Sequence, residues 1–246
     1  MILGLLGAAA FAVAPPQISL VAVPAHVQLD GAGRQSIRVS NHGRTPVVVD
    51  AARAGFALSL RGRPRVVTAP AAGRWLTFTP RRFRVPAGGS ASITVTTRVP
   101  KGSTPGDHTA LLLLTTRPRP HGGLAVRMRL GVVVVLRVPG RIVRRLTPVQ
   151  LAVRRTRGKR TLVLTLANRG NVTETLTAGR LTVTLWKGSR QLARFRLPPR
   201  ELLPHARALF DLRYGGRDKG AVVAVVQLRQ GTASEPAVRR AYRLRL

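Results

Sequence analysis

Apolar side chains recur at every second position along nearly the whole chain, as in Ser36-Ile37-Arg38-Val39-Ser40, Leu181-Thr182-Val183-Thr184-Leu185 and Tyr242-Arg243-Leu244-Arg245-Leu246. Successive side chains of a strand point to opposite faces, so this spacing describes strands buried on one side and solvated on the other. No window of useful length carries the i, i+3, i+4 pattern of an amphipathic helix. The positions between the apolar ones are held by Arg, Thr and Ser, which spreads the cations over sheet faces instead of gathering them in a tail. The expected fold class is all-β, as two tandem immunoglobulin-like β-sandwich domains.

In the first half the alternation predicts strands at Ile18–Val23, Gln35–Asn41, Val47–Ala54, Trp75–Pro80, Ala91–Arg98, His108–Thr116 and Leu124–Val138. The second half offers Val149–Arg154, Thr161–Ala167, Thr173–Ala178, Leu181–Lys187, Gln191–Leu197, Arg207–Tyr214, Ala221–Arg229 and Arg239–Leu246. The turn-prone run Val138-Pro139-Gly140-Arg141 separates them. The expected division is a leader over 1–16, one sandwich over 17–139 and a second over 140–246.

An internal echo relates the halves. Ile37 to Asn41-His42-Gly43 aligns with Leu164 to Asn168-Arg169-Gly170, each a strand closing on Asn-x-Gly. Asn closes a local side-chain turn and Gly accepts positive φ, so each is expected to form a corner between strands. A second echo sets Val85-Pro86-Ala87-Gly88-Gly89 beside Leu203-Pro204-His205, each ahead of a strand.

Charge bounds the function. Forty-two Lys and Arg stand against 8 Asp and Glu, a formal charge of +34. That balance disfavours enzymes built on acidic sites and calls for an anionic environment or partner. It divides evenly, 18 basic and 3 acidic residues in 17–139 and 24 and 5 in 140–246. Nucleic acid is disfavoured because single-strand binders interleave cations with stacking aromatics, and Phe, Trp and Tyr total only 10. The densest basic run, Arg154-Arg155-Thr156-Arg157-Gly158-Lys159-Arg160, reads as a charged hairpin tip around Gly158. Ile2 to Val13, ending in Ala12-Val13-Ala14, matches an export signal, and about 12 apolar residues are too few for a span that needs ~20. The expected location is extracytoplasmic, as a secreted, periplasmic or cell-wall protein.

No motif for catalysis appears. Asp107-His108 are neighbours on a strand and so point to opposite faces, and Pro105-Gly106-Asp107 reads as a β-turn. His26, His42, His121 and His205 are scattered without metal-ligand spacing. Glu174, Glu201, Asp211 and Asp218 form no evident acid–base pair, and the chain has no cysteine. The expectation is a protein that is not an enzyme and has no catalytic residue, metal or cofactor.

The first half resembles the N-terminal domain of the PapD-like periplasmic chaperone superfamily, through Gln17-Ile18-Ser19-Leu20, the Ile37 to Gly43 corner, Trp75 to Pro80, Arg98-Val99-Pro100 with Pro105-Gly106-Asp107, and the strand Leu124-Ala125-Val126-Arg127-Met128-Arg129-Leu130. A similar order of motifs occurs in Gram-positive surface proteins that interact with WxL proteins. The second half is similar to bacterial immunoglobulin-like domains of the CARDB type, through Asn168-Arg169-Gly170-Asn171-Val172. The resemblance implies a role in assembling surface structures, in which the chaperone lends a strand to a subunit and basic residues of a cleft hold the subunit's terminal carboxylate. Ile18–Val23 carries no Arg or Lys for that clamp. The residues expected to meet a partner are Arg127, Arg129, Val132, Val134, Leu136 and Arg137, on a strand apolar on both faces from Val132 to Leu136. The functional expectation is an exported protein that binds a surface or secreted protein by β-strand addition. The alternative is an Arg-rich protein held to cell-wall polymer or an anionic membrane surface.

Overall fold

The computed structural model describes residues 19–68, 71–117, 126–230 and 237–246; the expected leader over 1–16 lies outside them. The first ten strands are β1 (Leu20–Val23), β2 (His26–Asp30), β3 (Arg34–Asn41), β4 (Val47–Leu58), β5 (Pro64–Val67), β6 (Leu76–Thr79), β7 (Arg82–Val85), β8 (Ser90–Thr97), β9 (Gly106–Thr116) and β10 (Arg129–Val138). One sheet runs β1-β3-β8-β6, and the facing sheet runs β2-β10-β9-β4-β5 with β7 also on β4. Their inward rows, among them Ile37, Val39, Ile93 and Val95 against Val49, Leu112, Leu114 and Val134, form one closed core.

Nine further strands follow: β11 (Leu146–Thr156), β12 (Lys159–Asn168), β13 (Glu174–Leu176), β14 (Leu181–Lys187), β15 (Arg190–Arg196), β16 (Arg200–Leu202), β17 (Arg207–Tyr214), β18 (Ala221–Arg229) and β19 (Ala237–Arg245). The sheet β11-β12-β17 packs on β15-β14-β18-β19 around Leu162, Leu164, Phe210, Val183, Ala224 and Val226. This second core shares no residue with the first. The fold is thus all-β and built of sandwiches. Arg157 and Gly158, with φ of 49° and 73°, turn β11 into β12, so the densest basic run is a hairpin tip.

Where the chain departs from simple alternation, the structure differs from expectation. The opening segment is two strands. β1 joins β3, the chain breaks at Pro24, and β2 crosses to the other sheet to lie parallel to β10. Trp75 closes a 3₁₀ turn over Ala71–Trp75 instead of opening a strand. Pro105-Gly106-Asp107 is not a free turn: Gly106 and Asp107 begin β9, and the Asp107 amide donates to the Asn171 carbonyl at 2.7 Å.

The two Asn-x-Gly corners are the same device built twice. Asn41 is 1% exposed and its Nδ2 donates to the Thr45 and Pro86 carbonyls at 2.8 and 3.1 Å, while its Oδ1 accepts the Gly43 amide at 2.9 Å. Asn168 is 1% exposed and donates to Val172, Leu202 and Leu203 at 2.8, 3.0 and 3.2 Å, with the Gly170 amide on its Oδ1 at 2.9 Å. In each half the buried amide ties the corner to the Pro-containing turn ahead of a later strand, which joins the two sequence echoes in space. Gly170 is needed for space and not for φ, since a Cβ there would stand 2.2 Å from the Val143 carbonyl oxygen.

Candidate functional site

β10 is the strand whose surroundings change along its length. β9 pairs it from Arg129↔Thr115 to Val138↔Gly106, but β2 covers its other edge only from Val133↔His26 to Arg137↔Asp30. Among the described residues nothing pairs that second edge before Val133. The direction of the free groups follows from the ladder. Thr116 donates to the Met128 carbonyl, so the even-numbered residues turn their amides and carbonyls toward β9. The odd-numbered ones turn away: Val133 takes the Ala25 carbonyl and Arg137 accepts from Gly31. Arg129 and Gly131 therefore present unpaired backbone groups at the open edge.

The side chains follow the same parity. Val132, Val134 and Leu136 are each 0% exposed and belong to the first core. Leu130 and Met128 continue that inward row but are only partly buried, and Val126 is 39% exposed. An apolar row thus runs out from under the facing sheet just where the edge opens. Of the six residues expected from sequence, Val134 and Leu136 lie between β2 and β9, Val132 pairs with β9 just before β2 begins, Arg127 and Arg129 are exposed beside the open edge, and Arg137 is turned to Asp107. Sequence reasoning singled out the doubly apolar run and passed over Val126, Met128 and Leu130. The available signal was the strict alternation Val126-Arg127-Met128-Arg129-Leu130, which marks one apolar and one solvated face, whereas Val132 to Leu136 is greasy on both.

Two bridges join the halves. At the first, Arg137 Nε and Nη2 donate to Asp107 Oδ1 and Oδ2 at 2.7 and 3.1 Å, and the Thr173 amide donates to Asp107 Oδ2 at 2.7 Å. The Arg137 guanidinium is held above its ordinary pKa by its bond to that carboxylate. Asn171 completes the seam, donating to the Pro105 and Arg141 carbonyls at 2.9 and 2.8 Å. The close approach requires Gly106: its φ is +119° and a Cβ would stand 2.1 Å from the Asn171 oxygen. Glu174, with a side chain 1% exposed, pins the connecting segment through Arg144 at 2.9 Å while also accepting from Arg180 at 2.6 Å.

At the second bridge the β4–β5 hairpin reaches β17. Leu209 donates to the Leu60 carbonyl at 2.6 Å, and Arg61 Nε donates to Asp211 Oδ2 at 2.8 Å. Between the bridges lies a cleft of about 540 Å³ whose walls include Phe56, Trp75, His108, Asn171, Leu203 and His205. The His108 ring meets Trp75 at a tilt of 54° with centroids 4.9 Å apart, and its Nε2 bonds the Thr104 carbonyl at 2.8 Å. Asp107 and His108 thus serve different partners on different faces.

The second bridge sets a pH window. The hydrogen bond from Arg61 holds the Asp211 carboxyl below its ordinary 3.8, against the opposing effect of burial. A depressed folded-state value means that the stabilisation is complete above 3.8 and is lost as pH falls through the lower folded value. The Leu209 amide resonance is expected to stay constant on acidification to that point and to move only below it. A transition centred above pH 3.8 would show that Asp211 is not the titrating group.

Comparisons with known proteins bear on this geometry. No protein-family model matches the chain, and no curated protein matches it. Solved structures do. A chain of the chaperone–tip adhesin complex of CFA/I fimbriae biogenesis has a TM-score of 0.54 at 15% identity, over 91% of this chain and 98% of that one. The class 5 fimbriae chaperone CfaA has a TM-score of 0.51 at 16% identity, over 91% and 98%. The chain therefore shares its two-domain β-sandwich architecture with these proteins along nearly its full length. No helix among the described residues is long and apolar enough to cross a membrane.

Proposed function

We propose that this chain is a non-enzymatic, chaperone-like protein acting outside the cytoplasm, which receives a surface or secreted protein by β-strand addition at the open edge of β10. The observation that carries the proposal is the coincidence at 126–132 of unpaired backbone groups on Arg129 and Gly131 with the emerging row Val126, Met128 and Leu130. Added main-chain hydrogen bonds would supply affinity, and the apolar row would supply register and selectivity. The fold it shares with the fimbrial chaperone CfaA supports the reading. Val132, Val134 and Leu136 hold the base of the donor strand in place, while Arg127 and Arg129 offer cations to acidic groups of the incoming chain. The two separate cores support a division into two domains near Gly140. The order of motifs in the first half, similar to that of surface proteins that interact with WxL proteins, supports a surface protein as the partner.

A photocrosslinking residue at Arg129 in producing cells is expected to capture a defined envelope protein. In the purified complex the amides of Arg129 and Gly131 are expected to gain protection from hydrogen exchange. Val126→Glu with Met128→Glu should weaken the complex by about a hundredfold or more, since each apolar side chain withheld from burial costs about 1.5 to 3 kcal/mol. Unchanged exchange at residues 129 and 131 in the complex would remove strand addition, whatever the affinity.

A further inference from the structure

The outer face of the sheet β15-β14-β18-β19 carries a charge arrangement that strand addition does not use. The inward residues of these strands, such as Leu181, Val183, Leu185, Ala224, Val226 and Leu228, fill the second core. The outward ones fall into cross-strand rows: Arg196, Thr182, Gln227, Arg239, then Arg194, Thr184, Val225, Ala241, then Trp186, Val223, Arg243. Arg229 and Arg245 lie on the same face by parity. All six arginines are exposed, and none of them forms an ion pair among the described residues. Five of the seven described acidic side chains, Asp50, Asp107, Glu174, Asp211 and Asp218, are bonded to other arginines, and the other two, Asp30 and Glu201, stand on β2 and β16, outside this sheet. The opposite sheet of the same half shows the contrast, since its outward Asp211 is paired with Arg61 and Arg154.

We infer that this face docks flat on an anionic lipid surface. Its arginines stand mainly on the two outer strands, β15 and β19, three strand spacings or about 14 Å apart, with a neutral strip between them that includes Trp186 and the exposed Val223. A two-dimensional array of headgroup phosphates meets both cationic borders at once. A single linear polyanion would neutralise one border and leave the other facing solvent. Guanidinium groups bond phosphate oxygens in pairs, and Trp favours the boundary between headgroup and acyl chain. Docking by the second half leaves the open edge of β10, in the first half, free for a partner, so the inference does not depend on strand addition.

The test uses the full chain with vesicles of phosphatidylcholine alone and of phosphatidylcholine mixed with phosphatidylglycerol. Binding is expected only to the anionic vesicles and should fall as salt is raised. Replacing Arg194, Arg196, Arg239 and Arg243 with Gln should weaken it by about a hundredfold or more, from roughly fivefold per arginine near a charged surface. The control carries Arg34→Gln, Arg38→Gln, Arg65→Gln and Arg84→Gln, exposed residues of the first half with the same loss of charge, and should weaken binding by less than about fivefold. With Trp75→Phe leaving Trp186 as the sole tryptophan, brominated lipid should quench its fluorescence. Equal losses in the two quadruple variants, absence of quenching, or binding to soluble polyphosphate without recruitment to anionic vesicles would each overturn the inference.

Discussion

Replacing Asp107 with alanine is expected to lower the unfolding free energy by about 3 to 5 kcal/mol, the range seen when one member of a buried ion pair is removed. The Asp107 side chain is 1% exposed and that of Arg137 is 26% exposed, so the arginine left behind cannot regain full hydration without opening the seam. The Thr173 amide loses its acceptor in the same step. The loss should therefore appear twice, as a lower denaturant midpoint and as faster exchange at Thr173. Asp107→Asn keeps an acceptor and should fall between wild type and Asp107→Ala. If all three proteins unfold at the same midpoint, the first bridge does not couple the halves.

Asn168→Ala is expected to cost about 3 kcal/mol, because the buried Val172 and Leu202 carbonyls, the half-buried Leu203 carbonyl and the buried Gly170 amide lose their partner. Asn41→Ala removes the matching set in the first half and should cost a similar amount. The comparison is sharper than either measurement alone. Each substitution should raise amide exchange chiefly in its own half, since the two cores share no side chain. Global loss of protection in both halves from either variant would mean that the chain unfolds as one unit and that the corners are not local fasteners.

Much of the fold was legible in the sequence because alternation is a local property. Arg207–Tyr214, Ala221–Arg229 and Leu181–Lys187 form strands over the expected residues. The short strands Pro64–Val67, Arg82–Val85 and Arg200–Leu202 were not foreseen, since three or four residues hold too few alternations to stand out. The open edge was half legible. Val126 to Leu130 shows one apolar face, but nothing within that segment says that β2 begins only opposite Val133. The cleft between the bridges was not legible at all, because Phe56, Trp75, His108 and His205 come from four separate segments.

By itself, then, the order of residues determined that the chain makes strands, which face of each is buried, where the corners fall and how cationic the exposed faces are. Those properties depend on neighbours a few positions away, through the two-residue period of the pleat and the hydrogen-bonding reach of Asn beside Gly. Tertiary structure alone decided, among the described residues, which strand edge stays free, which arginines find a carboxylate and which share a face with none. With 42 basic residues and 8 acidic ones, most arginines must go unpaired, and which ones do depends on strands distant in sequence arriving side by side.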